Sequence, residues 1–265
     1  MKAAEAAPGA SGFGWRAFLG LQIKAAAFGI ILLLLIGLSV AIPTPEGPLT
    51  RLDWLFLAAF GIQLGLILGG WETRGEALTI LVFHLAGTAM EIFKVSQGSW
   101  LYPDRGVFSL WGAPLFTGFM YAAVGSYLAR FWRLADWRLE RAPPLWAIWS
   151  LGAAAYLNFF AHHFLPDIRI PLFLLTLLAF GRTILTLDWG HGRRRIPFLL
   201  PFTAAAGLVW LAENFATAAG IWLYPHQIRV WRMVPLSKFG SWFLLLLLTF
   251  ALVAALRFLE DRRRT

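Results

Sequence analysis

The chain has 265 residues, of which 59% are hydrophobic and 14% charged, with a net charge of +9 and no cysteine. Soluble domains carry about 25% charged residues, so a chain this poor in charge is expected to face lipid over most of its surface, and the missing cysteines exclude disulfides, thiolate nucleophiles and cysteine metal sites. The positive charge does not point to nucleic acid, because the basic residues sit in short segments between apolar runs, as topology signals do.

The apolar runs predict eight transmembrane helices, over 22–42, 52–70, 77–93, 114–134, 144–163, 168–187, 197–217 and 236–258. Each approaches the roughly 20 residues that cross a bilayer as helix. The connectors carry breakers such as Pro43-Thr44-Pro45, Pro143-Pro144 and Gly190-His191-Gly192. The expected fold class is therefore all-α, one polytopic transmembrane domain over residues 1–265. The first run also has the outline of a signal peptide, since Lys24 precedes it and Ser39-Val40-Ala41 could be cleaved. Its length favours a retained span. In the second run Gly61, Gly65 and Gly69 recur every fourth residue and leave one helix face bare. Packing inside the bundle is the first expectation there, and a homo-oligomer interface the second. Gly118, Ala122 and Ser126 make a looser version in the fourth run.

Orientation follows from lysine and arginine. With the N-terminus inside, the cytoplasmic segments hold 16 of these residues and the opposite side holds seven, Arg51, Lys94, Arg105, Arg169, Arg229, Arg232 and Lys238. That asymmetry predicts that both termini are cytoplasmic. Arg193-Arg194-Arg195 and Arg262-Arg263-Arg264 read as anchors on anionic headgroups.

One stretch occurs twice. Residues 91–103 read EIFKVSQGSWLYP and residues 213–225 read ENFATAAGIWLYP, identical at seven of thirteen positions. A Pro-Leu pair follows each copy, at Pro114-Leu115 and Pro235-Leu236. The block joins the third run to the fourth and the seventh to the eighth. The two halves, about 20–134 and 144–259, thus read as parallel four-helix pseudo-repeats about an axis along the membrane normal.

Glu91 and Glu213 lie near the outer ends of their helices. A carboxylate at that depth is costly in lipid and faces the bundle interior or a water-filled cavity. At equivalent repeat positions the two are expected to face each other as an acid and base pair. The plainer alternative is that each pairs with backbone amides or with Lys94, Arg229 or Arg232. Gly98 and Gly220 are expected to turn the chain sharply after each helix. Trp100, Tyr102, Trp222 and Tyr224 then lie at interface level, either as an ordinary aromatic belt or as lids that bind substrate over a cavity between the glutamates. His84, Asn158, His162 and Asn214 complete one expected polar cluster. His84 and Glu91 are seven apart on a helix, and Asn158 and His162 four apart.

No metal site is expected, because ligand spacing is not tight, and no cofactor is implied. P-loop, Gly-x-Gly-x-x-Gly, Gly-x-Ser-x-Gly and His-Glu-x-x-His motifs do not occur. Three functional readings follow. One is an intramembrane enzyme acting on a membrane lipid or isoprenoid by acid–base chemistry, with the aromatic faces stabilising a cation. Another is a small-solute or proton-coupled transporter, and the third a non-catalytic membrane protein.

The strings Met90-Glu91-Ile92-Phe93-Lys94, Gly98-Ser99-Trp100-Leu101-Tyr102-Pro103 and Gly118-Phe119-Met120-Tyr121-Ala122 resemble the YoaT-like bacterial membrane proteins, the family of domain of unknown function 817. The likeness implies a polytopic plasma-membrane protein and carries no activity. A fainter likeness is to membrane lycopene cyclases and carotenoid hydratases, through Glu91 to Trp100 and Glu213 to Trp222. The double glutamate of the cyclases is replaced by Leu115-Phe116 and Leu236-Ser237, which counts against cyclase activity.

Overall fold

The computed structural model describes residues 14–104, 106–188 and 193–262. Among them are nine α-helices: α1 (Trp15–Ala25), α2 (Ala27–Ala41), α3 (Arg51–Leu68), α4 (Arg74–Ser96), α5 (Phe116–Leu134), α6 (Leu145–Ala161), α7 (Arg169–Phe180), α8 (Leu199–Ala218) and α9 (Ser237–Arg262). Five short strands interrupt them: β1 (Ser109–Leu110), β2 (Ala113–Pro114), β3 (Asp136–Glu140), β4 (Ile184–Asp188) and β5 (Arg194–Pro197). The chain is mostly helical, but the all-α expectation is corrected by a β1–β2 hairpin and an antiparallel β3–β4–β5 sheet.

Among the described residues, α3, α4, α8 and the Ser237–Ala254 part of α9 are long and apolar enough to cross a membrane, and the bent pair α1–α2 passes as one broken unit. Each of the eight apolar runs contains a helix, yet α6 and α7 are shorter than a full span. Two outlines change for physical reasons. The first run breaks at Ala26, where α1 and α2 meet at 71°. The Lys24 carbonyl beside the break accepts a hydrogen bond from Arg130 Nη1 at 3.3 Å, and Tyr127 donates to Gln22 at 2.9 Å. The sixth run is helical for only 12 residues. Beyond Gly181 its burial alternates, with Leu185 and Leu187 inward, which is the two-residue period of a strand. Those two leucines pack with Phe180, Phe198 and Phe250.

The sheet closes one end of the bundle. α5 runs into β3, α6 leaves from it, α7 runs into β4, and β5 leads into α8. A buried ionic network lies where α3 hands over to α4. Glu72 accepts from Arg130 and Gln63, and Arg133 pairs with Glu76 at 2.8 Å. Capping boxes start the two helices, Thr50 with Asp53 for α3 and Thr73 with Glu76 for α4.

α4 and α5 form the most extensively packed helix pair, and glycine is the reason. A Cβ would come within 2.5 Å of Tyr121 at Gly87, 2.6 Å of His84 at Gly118 and 2.5 Å of Phe83 at Gly125. The Gly118, Ala122 and Ser126 face is thus buried in this contact. Gly61 and Gly65 are different. They are exposed, and a Cβ at either would meet nothing within 4 Å. Packing inside the bundle, expected of that stripe, is not its use.

Candidate functional site

Both copies of the repeated string end their helix in the same way. Gly98 and Gly220 adopt φ of 65° and 68°, the left-handed region open to glycine. In the first copy Gly98 N–H donates to Val95 O and Ser99 N–H to Lys94 O, each at 3.0 Å. In the second, Gly220 N–H donates to Thr217 O and Ile221 N–H to Ala216 O, each at 3.0 Å. These are Schellman closures, and they fold each Trp-Leu-Tyr back over its own helix end. There the copies meet. Leu101 and Leu223, the same position in each string, exchange both backbone hydrogen bonds at 2.9 Å. Arg51, at the start of α3, holds the second closure by donating to the Ala219 and Gly220 carbonyls at 2.9 and 2.8 Å.

The folded-back rings reach the glutamates. Glu91, 3% exposed, accepts at Oε2 from Trp100 Nε1 at 2.8 Å and from the Tyr102 hydroxyl at 2.5 Å. Its Oε1 accepts from the Tyr121 hydroxyl at 2.7 Å. Glu213, 4% exposed, accepts at Oε1 from the Tyr224 hydroxyl at 2.5 Å and at Oε2 from Trp242 Nε1 at 2.8 Å. Tyr121 and Trp242 each stand seven residues beyond the proline of a Pro-Leu pair. Their ring centroids are 6.2 Å apart. Trp100 and Tyr224 also touch, edge to face at 5.9 Å.

Both carboxyls line one cavity of about 50 Å³, together with Tyr121, Tyr224, Trp242 and Lys238. Among the described residues neither glutamate forms an ion pair, so the pairing with Lys94, Arg229 or Arg232 left open by the sequence is not found. Phenol and indole supply the donors instead, and they are not equivalent. An indole N–H can only donate, so it fixes Oε2 of each glutamate as an acceptor. A phenol hydroxyl can donate or accept. A proton can therefore sit on Oε1 of Glu91 facing Tyr121, or on Oε1 of Glu213 facing Tyr224, without breaking a hydrogen bond. Burial, then the adjacent carboxylates, push the Tyr102 and Tyr224 hydroxyls well above the usual phenol range, so both remain protonated.

A second cavity, of about 160 Å³, adjoins the first and shares Trp100, Phe159, Lys238 and Ser241 with it. Asn158 and His162 line this one. Asn158 also fastens the turn after α6, donating to Asp167 and accepting from Ile168 N–H, both at 3.1 Å. Partial burial raises the Asp167 carboxyl, but hydrogen bonds from Arg169 and Asn158 outweigh it and bring it down to about 2.

The six-residue polar cluster expected from sequence is thus divided. Glu91 and Glu213 share one cavity, Asn158 and His162 the next, and His84 and Asn214 line neither. His84 points from α4 into the gap above Gly118 and packs on Phe119 at 4.6 Å. Asn214 follows Glu213 by one residue, about 100° round the helix. It ties α8 to the loop beyond, accepting from Val234 N–H at 2.9 Å. Trp100, Tyr102, Trp222 and Tyr224 are all buried, and of them Trp100, Trp222 and Tyr224 line the glutamate cavity.

A mostly helical chain, with helices fit to cross a membrane and two buried carboxyls on one cavity, is the class of protein these features define. The chain belongs to the DUF817 family, described as protein of unknown function, which matches residues 15–250. It is 41% identical over 253 residues to "Uncharacterized protein YoaT" of Bacillus subtilis (strain 168), covering 96% of this chain and 93% of that relative. No solved structure matches it.

Proposed function

We propose that this is a multi-pass protein of the bacterial plasma membrane that performs acid–base chemistry on a lipid or isoprenoid, with Glu91 and Glu213 as the proton-exchanging pair. In this reading the eight apolar runs pass the membrane as two parallel halves, both termini are cytoplasmic, and the cavities lie in the outer leaflet. The observation that carries it is the sharing of one cavity by two buried carboxyls, each bonded at Oε1 to a reversible phenol and at Oε2 to an indole. The contacts Leu101 with Leu223 and Tyr121 with Trp242 support a two-fold relation between the halves.

The test is complementation of a deletion strain, with lipid profiling as the readout. Glutamine fits both sites: its oxygen can take the indole and its amide can donate to a phenol oxygen. Glu91→Gln and Glu213→Gln should therefore reach the membrane in normal amounts while the double variant fails to restore the wild-type lipid profile. Full restoration by the double variant would remove the acid–base role.

A further inference from the structure

The cavity of about 160 Å³ is lined by three cationic side chains from three helices, Lys94 at the end of α4, Arg169 at the start of α7 and Lys238 at the start of α9. Ser99 and Ser241 add hydroxyls, and His162 an imidazole. Glu91 and Glu213 share the adjoining cavity with Lys238, but close ion pairs do not cancel the charge of the two lysines. Arg169 is paired with Asp167 at 2.5 Å. Among the described residues neither Lys94 nor Lys238 lies within ion-pair distance of any carboxylate. Lys94 is only 3% exposed. Its ammonium sits 2.9 Å from His163 Nε2, 3.4 Å from His162 Nε2 and 4.1 Å from the centre of Phe159. Lys238 lies over the rings of Tyr224 and Trp100, at 4.6 and 5.3 Å.

A buried ammonium without a close counter-charge is expensive; Lys94 is one such group on this cavity and the half-buried Lys238 is a second cation on its wall, so the cavity favours an anion. The arrangement selects the anion. Two ammonium groups without an ion-pair partner, Lys94 and Lys238, converge on it, and the Ser99 and Ser241 hydroxyls offer further donors, while the Arg169 guanidinium is held by Asp167 and Ser241. That suits a tetrahedral, multiply charged group with several oxygens better than a planar carboxylate with two. α9 also begins at this cavity, so its N-terminal end adds positive potential, whereas the start of α7 is capped by Asp167, which accepts from Arg169 N–H at 3.0 Å.

We propose that this second cavity is a phosphate-binding site that holds the headgroup of a phosphate-bearing amphiphile beside the glutamates. The inference names the substrate class of the acid–base reading and rests on it for the reaction, but not for binding. Lys238 and Ser241 line both cavities. A phosphate held on them presents its neighbouring carbons to the cavity of Glu91 and Glu213.

The experiment is calorimetric titration of the purified full chain in detergent with three probes: dihexanoyl phosphatidic acid, inorganic phosphate and dihexanoyl glycerol. Phosphatidic acid should bind and the uncharged glyceride should not. Binding of phosphatidic acid alone assigns the site to lipid headgroups, whereas equal binding of inorganic phosphate assigns it to the free anion. Lys94→Gln and Lys238→Gln should each weaken binding at least tenfold. Lys238 is half-buried, so its variant tests the site even if the Lys94 variant does not fold. The Glu91→Gln, Glu213→Gln double variant should still bind phosphatidic acid, which separates failure of the chemistry from failure of the site. Wild-type protein that binds neither phosphate probe, or a folded Lys238→Gln that binds like wild type, overturns the proposal.

Discussion

At the scale of single residues the two glutamates are held unequally, and the inequality can be measured. Oε2 of Glu91 has two donors, Trp100 and Tyr102, while Oε1 of Glu213 accepts from Tyr224. Removing one hydroxyl therefore has different consequences. Tyr102→Phe leaves Oε2 still bonded to the indole and should cost about 0.5–1.5 kcal/mol, the net value of an ordinary hydrogen bond. Tyr224→Phe takes the hydroxyl from a buried carboxylate oxygen and should cost about 1–3 kcal/mol or more. Adding Glu213→Gln to Tyr224→Phe should recover part of that loss, because an amide is cheaper to leave under-bonded than a carboxylate. Unfolding midpoints of the detergent-purified variants report all three. A Tyr102→Phe variant as damaged as Tyr224→Phe would show that the two carboxyls are not held as described. The same scale shows why part of the site escaped sequence reading. Trp100, Tyr102 and Tyr224 were marked by the repeated string. Tyr121 and Trp242 lie outside it, yet the seven-residue spacing from Pro114 and Pro235 was a signal that could have found them. Arg169 and Lys238 were visible only as topology charges and Lys94 also as a possible partner of the glutamates, since nothing in their sequence neighbourhoods says that the three converge.

Between helices, the decisive variable is how closely two backbones approach. Tyr121 reaches Glu91 because α5 lies against α4 at Gly87, where an added methyl would fall 2.5 Å from the tyrosine ring and 2.7 Å from its Cβ. Gly87→Ala should thus lower stability by about 1–3 kcal/mol, the usual range for overpacking. It should also draw the Tyr121 hydroxyl away from Oε1. Gly61→Ala and Gly65→Ala, where the new methyl meets open space, should be neutral or slightly stabilising to the folded chain, since alanine is the better helix former. Thermal unfolding of the three alanine variants side by side checks this, and a Gly61 variant as unstable as the Gly87 variant would contradict the packing. Glycine spacing alone did not distinguish the two cases. The regular stripe on α3 faces outward, and the looser one on α5 is the one in use. Helix ends were better marked, since glycine at φ above 60° is what a Schellman closure requires at Gly98 and Gly220. The change from α7 to β4 was illegible for the opposite reason. Residues 170–187 are apolar almost throughout, and a short apolar run reads equally well as helix or strand.

For the whole molecule, the sheet and the paired strings mark opposite ends of one bundle, and the proposed topology assigns them to opposite faces of the membrane. The sheet end carries β3 and β5 with their arginines, and Arg195 pairs with Glu140 across it at 2.5 Å. The other end carries the β1–β2 hairpin, tied down because Asp53 accepts from Val107 and Phe108 N–H at 3.0 and 2.7 Å. Lysine and arginine favour the cytoplasmic side of short loops, so the sheet should be inside and the hairpin outside. The natural absence of cysteine makes this directly testable with single-cysteine variants. Val107 is 63% exposed on the hairpin side, and Arg193 is exposed just before β5. In intact cells a membrane-impermeant maleimide should label Val107→Cys and leave Arg193→Cys unmodified, and permeabilisation should expose both. If Arg193→Cys is labelled in intact cells and Val107→Cys is not, the bundle is inverted. The two cavities would then draw their amphiphile from the cytoplasmic leaflet, while the geometry of the glutamates and lysines would stand unchanged.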